Sequence, residues 1–264
     1  MIHRAPDHCW LLTTVVGAGI QADLKVFSAF GVYGMSAITA ITVQNSSGVY
    51  QSIPVSSETV YSQIETVVTD IGIDAFKTGM LQTEDNVLAV SEAVKKFKMK
   101  NFVCDTVIKS KNGRYLLDKN AVKTFIKKII PLTDVITPNT DEAQVLTGVH
   151  IKTVQDMKRA AKELVKMGAK VAVVKGGHLP QGDSITDVVY DGREYILLTY
   201  PAVKTENTHG TGCTFSSAIT ACLSKGLHPL KAVRVARAYV QGAIENALNI
   251  GKGRGSLNHF WTVR

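Results

Sequence analysis

The chain has 264 residues, of which 45% are hydrophobic and 20% are charged, and its formal net charge is +8. This length can bury a full core and lies near the upper end of single-domain size, so we expect one domain over residues 1–264. No run of about 18 uninterrupted apolar residues occurs, which argues against a membrane partner. The lysines are spread over several predicted helices, which argues against a nucleic-acid partner and favours solvated faces or a field that attracts anionic substrates.

The cysteines lack the paired spacing of a zinc site or of a disulfide framework, and they stand at Cys9, Cys104, Cys213 and Cys222. This distribution predicts a reducing compartment. Near the amino terminus, a short apolar run at residues 10–16 leads straight into Gly17 without a convincing cleavage pattern for a signal peptide. We therefore expect a cytoplasmic protein.

Short apolar runs rich in β-branched residues alternate with longer segments of helical period. This alternation is typical of parallel strands joined by crossover helices and predicts an α/β fold with a mostly parallel sheet. The clearest strands are short, apolar and bounded by polar or turn residues, and they lie at residues 101–105, 134–137 and 170–175.

Several signals mark where helices begin and end. Thr83 can cap a helix, and Thr153 with Asp156 resembles a capping box. Gly168 stands where the second of these helices would end. Two further helices are predicted near the end of the chain, at about residues 212–225 and 229–248.

Two segments are predicted to lie outside the main sheet. One covers residues 51–59, and the other is a hairpin at residues 185–199 with Asp191-Gly192 as its turn.

The most informative segment is Asn207-Thr208-His209-Gly210-Thr211-Gly212-Cys213, called here the anion loop. Glycines and small hydroxyl residues immediately precede a strongly periodic helix, so free N–H groups and the positive end of the helix dipole meet at one point. Glycine also lets the backbone approach a phosphate closely. A glycine-containing loop before a core helix is the alternative.

Polar residues follow three predicted strands, at the sheet edge where ligands bind in open α/β sheets. Lys175 can offset phosphate charge, although it can also be a surface lysine at a turn. Asn139 and Glu142 lie at a helix start, where Glu142 can also be a partner of the helix dipole. Asp105 can hold a magnesium-bound water or cap a turn. Because these residues and the anion loop are all expected at one edge, we interpret them as one site.

Six segments together resemble the hydroxymethylpyrimidine kinase family of the ribokinase-like superfamily in residue identity, order and approximate spacing. They are Gly17-Ala18-Gly19-Ile20-Gln21-Ala22-Asp23-Leu24-Lys25, Val43-Gln44-Asn45, Lys77-Thr78-Gly79-Met80, Thr137-Pro138-Asn139-Thr140-Asp141-Glu142, Lys175-Gly176-Gly177-His178 and the anion loop. No single motif is decisive, but the combination is highly specific and runs from residue 17 almost to the carboxyl terminus.

The resemblance implies a ribokinase-like fold, with a central sheet flanked by helices on both faces, and a homodimer. It also implies ATP and magnesium as cosubstrates and two successive phosphorylations of 4-amino-5-hydroxymethyl-2-methylpyrimidine, to the monophosphate and the diphosphate. Carried over by position, Gln44 would bind the pyrimidine, with Asp23, Met80, Ala18 and Val107 near the substrate. An amide both donates and accepts, which matches the edge of an aminopyrimidine.

The same resemblance assigns roles around the phosphates. The ATP-binding residues would be Lys175, Asn139, Gly210 and Gly212, and the magnesium ligands would be Asp105 and Glu142. Catalysis would come from Lys175 and from Gly210, Thr211, Gly212 and Cys213, which stabilise the transferring group.

Cys213 stands where many ribokinase-like relatives have an aspartate as general base. An unperturbed thiol has a pKa of about 8.5, and a helix N-terminus lowers it by less than about one unit. We therefore expect the thiol to be largely protonated and to contribute less than the N–H groups of the anion loop. No tetrahedral set with zinc spacing can be assembled from Cys104, Cys222, His209 and His178, so we interpret them as core residues or loop polar groups.

One segment departs from the family. Residues 9–16 lack the Gly-Ser-Asp and glycine-rich pattern that the family has before Gly-Ala-Gly-Ile-Gln. Our hypothesis is a reading-frame error in the gene, because some codon choices for these residues encode that pattern in shifted frames. Resequencing that gives an unambiguous in-frame reading would reject this hypothesis. The alternatives for function are a pyridoxal kinase on the same scaffold and a catalytically impaired homologue that binds pyrimidine or nucleotide.

Overall fold

A computed structural model of the chain describes residues 8–12, 18–109, 115–179 and 182–262. The strands in these residues are β1 (His8–Leu12), β2 (Tyr33–Ala37), β3 (Ala40–Asn45), β4 (Gly48–Pro54), β5 (Ala75–Thr78), β6 (Phe102–Cys104), β7 (Val135–Ile136), β8 (Val171–Val174), β9 (Ser184–Tyr190) and β10 (Tyr195–Pro201). Eight of them form one sheet in the order β10-β9-β8-β7-β6-β5-β1-β2. Strands β2, β1 and β5 to β8 run parallel, whereas β9 and β10 are antiparallel to their neighbours.

The α-helices of the described residues are α1 (Gly19–Ala29), α2 (Ser57–Asp70), α3 (Glu84–Lys96), α4 (Lys119–Lys128), α5 (Thr140–Thr147), α6 (Val154–Lys166), α7 (Thr211–Ser224) and α8 (Pro229–Glu245). They cover both faces of the sheet, with α2 to α6 on one face and α1, α7 and α8 on the other. Side chains of the central strands alternate between these two cores. In β8, for example, Val171 and Val173 pack on the α7 side, and Ala172 and Val174 pack on the α6 side.

The three clearest predicted strands are confirmed as β6, β7 and β8, each shorter than predicted. The predicted caps are also confirmed. Thr83 accepts from the N–H of Asn86 over 3.2 Å, and Thr153 with Asp156 forms a capping box at α6. Gly168 follows the end of α6 with φ at +115°, which explains the glycine there. The last two predicted helices are α7 and α8, although α8 ends at Glu245 and not near residue 248.

The predicted position of the second hairpin is wrong. Strands β9 and β10 form the expected hairpin, but β9 pairs with β8 and so extends the main sheet. The reason is burial on both faces, since Val188 and Val189 are at most 1% exposed and belong to opposite cores. The other segment is confirmed outside the main sheet, because β4 pairs only with β3 there and residues 57–59 begin α2.

Within the described ranges, each helix is too short or too polar to cross a lipid bilayer.

Candidate active site

A cluster of charged side chains lies where β6 and β8 end, against the first turn of α7. Asp105 follows β6 and Lys175 follows β8, and their Oδ1 and Nζ atoms lie 3.7 Å apart. A Cβ atom on Gly212 would lie 3.3 Å from the same Nζ atom, so this helix start lies close to the ion pair. Ser216, one turn further along α7, donates to Oδ2 of Asp105 over 3.2 Å. The structure therefore brings together three residues that the strand-end argument placed at one edge.

Glu142 and Asn139 form a capping box at the start of α5, beside this cluster. Oε2 of Glu142 accepts from the N–H of Asn139 over 2.9 Å and from the hydroxyl of Thr106 over 3.0 Å. Burial raises the pKa of Glu142 to about 7, while the attraction of Lys175 limits the rise. Glu142 thus lies at the start of α5 as the sequence suggested, where it caps the helix. The charge of its carboxyl group depends on Lys175. Its role as a metal ligand stays a prediction.

The loop that carries Lys175 is fixed from the neighbouring strand. Asp187 in β9 is buried, and its Oδ1 accepts from the N–H of Gly176 over 2.8 Å and from the hydroxyl of Tyr200 over 3.0 Å. This bond holds the backbone directly after Lys175, so the antiparallel hairpin supports the site even though it contributes no predicted site residue.

Two helices begin near the cluster without a side-chain cap. Helix α7 starts after Gly210, whose φ of 86° is in the left-handed region, and α1 starts after Ala18. Gly210 has no side chain and Ala18 has only a methyl group, so neither N-cap residue can bond to its helix through a side chain. The first turns of both helices also lack acidic residues. Helices α3, α5 and α6, by contrast, are capped by the side chains of Thr83, Asn139 and Thr153. Uncapped N–H groups at the positive end of a helix dipole are suited to binding a phosphate.

A buried ion pair joins α1, β5 and α7. Lys77 and Asp23 are both fully buried, with Nζ and Oδ1 2.9 Å apart, and Ser217 also donates to Oδ1. Burial raises the pKa of Asp23 to about 6, although Lys77 pulls it down. Burial acts to lower the pKa of Lys77, but the carboxylates of Asp23 and Asp105 act in the opposite direction, and the pKa is raised. Both groups are therefore charged at neutral pH.

Cys213 lies in the first turn of α7, and its thiol lies close to the N–H of Gly19 at the start of α1. This contact brings the two uncapped helix starts together. Burial raises the pKa of the thiol to about 12, despite the attraction of Lys77. Burial beside the carboxylates of Asp105 and Asp23 outweighs any lowering by the helix dipole, which agrees with the expectation of a largely protonated thiol. The thiol is protonated at neutral pH.

Gln44 lies on the less exposed face of β3, whose outer face carries Ile41 and Val43. Its Nε2 atom lies 3.2 Å from Nε2 of His209 in the anion loop. Its Oε1 atom is buried and has no hydrogen-bond partner among the described residues. An acceptor is thus held next to the anion loop with its bonding capacity unused.

The other predicted substrate contacts lie close to these elements. Met80 follows β5 and is buried, with its carbonyl accepting from Thr39 over 2.6 Å. Val107 is partly exposed, and its N–H donates to the carbonyl of Asp105 over 3.0 Å. Ala18 is the buried N-cap of α1. Contact of these residues and of Asp23 with a substrate stays a prediction.

Residues 246–262, called here the C-terminal strap, lie against the anion loop and the β3–β4 turn. The N–H of His209 donates to the carbonyl of Gly255 over 3.2 Å, and the N–H of Gly255 donates to Asn207 over 2.9 Å. The N–H of Gly253 donates to Oγ of Ser46 over 3.1 Å. The strap thus holds both sides of the region around Gln44.

Sequence reasoning missed several parts of this site. Lys77 begins the segment Lys77-Thr78-Gly79-Met80, but its burial was not predicted. It lies in a four-residue strand that is buried throughout, where a lysine requires a charged partner. Ser216, Ser217 and the strap gave no such signal. His209 was interpreted as a loop polar group, and its contact with Gln44 joins segments 165 positions apart, which no local pattern reveals.

Comparisons with known proteins agree with this geometry. The profile of the Phosphomethylpyrimidine kinase family matches residues 14–258. A hydroxymethylpyrimidine/phosphomethylpyrimidine kinase of Bacillus subtilis is 45% identical over 244 residues, which cover 92% of this chain and 90% of the relative. One of Rhizobium meliloti is 44% identical over 247 residues, 92% of each chain.

Solved structures give the same answer for the fold. The ADP complex of Bacillus subtilis pyridoxal kinase is similar with a TM-score of 0.90 and 36% identity, covering 98% of this chain and 99% of that one. Phosphomethylpyrimidine kinase from Clostridium difficile has a TM-score of 0.80 and 40% identity, covering 90% and 99%. The fold is the ribokinase-like α/β fold, and the resemblance identified from the motifs is confirmed. The chain belongs to the phosphomethylpyrimidine kinase family.

Proposed function

We propose that this protein is an ATP-dependent kinase that phosphorylates 4-amino-5-hydroxymethyl-2-methylpyrimidine and then converts the monophosphate into the diphosphate, as a step of thiamine biosynthesis. The observation that carries the proposal is the meeting of two uncapped helix starts, α1 and α7, beside Lys175. This arrangement offers N–H donors and a cation to a transferring phosphoryl group. The buried acceptor of Gln44 suits the exocyclic amino group of the pyrimidine.

In the proposed reaction, the hydroxymethyl oxygen of the substrate forms a bond to the γ-phosphorus of ATP, and the bond from that phosphorus to the ADP oxygen breaks. Lys175 offsets phosphate charge, and the N–H groups of Gly210 to Cys213 stabilise the transferring group. The transition state is loose, so the hydroxyl loses its proton late. This fits a protonated thiol at Cys213, since no strong base is needed early in the reaction.

The residues present fit a magnesium ion. Asp105 and Glu142 supply carboxylates at one sheet edge, which suits an ion that binds one or two carboxylates and otherwise water and phosphate oxygens. When bound, magnesium would neutralise charge on the β- and γ-phosphates. Asn139, Gly210 and Gly212 complete the proposed ATP site.

We expect Cys213→Ala to lower kcat while ATP binding persists, because the thiol bridges the two helix starts whose N–H groups bind the phosphoryl group. Steady-state kinetics and nucleotide titration measure the two quantities. Cys213→Ser, which keeps a hydrogen-bonding atom, should retain more activity than Cys213→Ala. Unchanged turnover in Cys213→Ala would remove the side chain from the mechanism.

A coupled assay for ADP formation, with magnesium, tests the proposed function. Hydroxymethylpyrimidine, its monophosphate and pyridoxal are offered separately. We expect turnover with both pyrimidines. Turnover with pyridoxal alone would instead assign the chain to vitamin B6 salvage.

Pyridoxal kinase is the second candidate function. It is favoured by the structural likeness, since pyridoxal kinases of Bacillus subtilis and Staphylococcus aureus reach TM-scores of 0.90 and 0.91. Sequence identity favours the pyrimidine kinases, at 45% against 36%. A catalytically impaired homologue is the third candidate, and a folded protein that binds ATP without turning over any of the three substrates would support it. That outcome would point to the atypical residues 9–16, of which only the backbone of β1 is described.

We also propose that the protein is a cytoplasmic homodimer of single-domain subunits, joined through β3 and β4. Ile41, Val43 and Ile53 are each 48 to 54% exposed on one face of this small sheet. Ile41→Asp should convert a dimer into monomers in light scattering after size exclusion, because it charges an apolar interface. Leu88→Asp, on the exposed face of α3, is the matched control and should leave the dimer intact. A wild-type monomer would reject the proposal.

A further inference from the structure

The side chains of Gln44 and His209 form a pair in which only one end of the amide is used. The two Nε2 atoms lie 3.2 Å apart, and Oε1 of Gln44 is buried without a partner among the described residues. An amide has a donor end and an acceptor end, so whichever end contacts His209 leaves the opposite end for a ligand.

Hydrogen-bond chemistry couples the orientation of the Gln44 amide to the tautomer of His209. The amide nitrogen only donates, so Nε2 of His209 must accept, which requires a neutral ring with its proton on Nδ1. If Nε2 of His209 carried the proton, the amide would turn over, accept from His209 and offer its NH₂ group to the ligand. The histidine therefore decides whether the ligand meets an acceptor or a donor.

We infer that His209 is a specificity-determining positioning residue, which orients Gln44 so that Oε1 accepts from a donor on the ring of the substrate. The inference rests on the proposed function, in which that donor is the amino group of an aminopyrimidine. A ring that carries an oxygen acceptor at the same position would face Oε1 acceptor to acceptor and be rejected, because neither group would be hydrogen-bonded.

The C-terminal strap fixes both members of the pair. The carbonyl of Gly255 accepts from the N–H of His209, which holds the anion loop. Two residues after Gln44, Ser46 accepts from the N–H of Gly253 over 3.1 Å and from the N–H of Arg254 over 3.2 Å. A Cβ atom on Gly253 would lie 2.3 Å from the carbonyl oxygen of Ser46, so glycine is required for this approach. One short segment thus sets the separation of Gln44 and His209.

The test compares kcat/KM for two substrates of nearly the same shape, the 4-amino-5-hydroxymethyl-2-methylpyrimidine and its 4-oxo analogue. The wild type should prefer the amino compound. We expect His209→Ala to reduce this preference by about tenfold, because the amide is then free to turn over and a hydrogen bond is worth about that factor. His209→Gln, which can still accept from Gln44, should restore part of the preference.

Two further variants, Gln44→Leu and Gln44→Leu with His209→Ala, complete a double-mutant cycle. Gln44→Leu should also lose the preference, and adding His209→Ala to it should reduce the preference no further, since the two residues act as a unit. Equal losses for both substrates in His209→Ala, with the preference kept, would overturn the inference while leaving the proposed function standing. Wild-type protein that phosphorylates neither compound would overturn both.

Discussion

Lys77→Met should lower the free energy of unfolding by about 3–5 kcal/mol at neutral pH, because removing one member of a buried ion pair leaves the other charge uncompensated. Lys77 and Asp23 are both fully buried, and their Nζ and Oδ1 atoms lie 2.9 Å apart. Water therefore cannot reach Asp23 to solvate its charge when Lys77 is removed. Denaturation with urea at pH 7 measures the difference. Ser217 alone would then bond to the carboxylate, which a hydroxyl cannot neutralise.

The loss should depend on pH in a defined direction. Burial raises the pKa of Asp23 from 3.8 to about 6 in the folded protein. Protonated Asp23 therefore favours the folded state below pH 3.8, and this contribution to the free energy of unfolding is lost as the pH rises through about 6. Without the attraction of Lys77 this pKa rises further. The deficit of Lys77→Met should therefore be small near pH 4 and grow as pH increases to 7.

Two further variants separate this explanation from general damage. Lys96→Met removes a partly exposed partner of Glu65 and should change stability little, since exposed ion pairs contribute little. Replacing both members, as in Lys77→Met with Asp23→Leu, should recover part of the loss because no charge stays buried. A deficit in Lys77→Met that is the same at pH 4 and pH 7 would contradict the electrostatic cause.

The sequence predicted the elements whose signals are local. The cap at Thr83 and the capping box at Thr153 depend on residues within three positions of each other, and both are present. Convergence of Asp105 and Lys175 followed from the rule that parallel strands end at one edge. Their separation of 3.7 Å is a matter of side-chain packing, which that rule does not contain.

Features that depend on distant contacts were not predictable. The hairpin of β9 and β10 has the expected turn, but its place in the main sheet depends on helices that cover both sides of Val188 and Val189. The sequence shows that Cys213 lies at a helix start, whereas the burial beside Asp105 that raises the pKa of its thiol depends on distant contacts. The strap lies against the anion loop through backbone hydrogen bonds, which carry no signature in side-chain identity.

The second large effect is expected at Lys175. Lys175→Met should lower kcat by about 10²–10³-fold, the range found when one preorganised group that stabilises a developing negative charge is removed. The Nζ atom lies 3.7 Å from Asp105 and close to Gly212 at the start of α7, so its loss leaves this helix start without its cation. Lys170→Met is the matched control. Lys170 precedes the same strand at its opposite end, its side chain is 76% exposed, and its removal should leave kcat unchanged.

The pH profile distinguishes loss of this charge from loss of structure. Burial raises the pKa of Glu142 to about 7, and Lys175 restrains that rise. If the carboxylate form of Glu142 holds magnesium, activity increases as the pH passes the pKa of Glu142. This increase is the rising limb of the pH–activity profile, and Lys175→Met must move it to higher pH. Lys175→Arg should keep the limb near its wild-type position, because a guanidinium also stabilises the carboxylate, while its different shape reduces kcat. A variant Lys175→Met with reduced kcat and an unshifted limb would show that the titration of Glu142 does not set the pH dependence of activity.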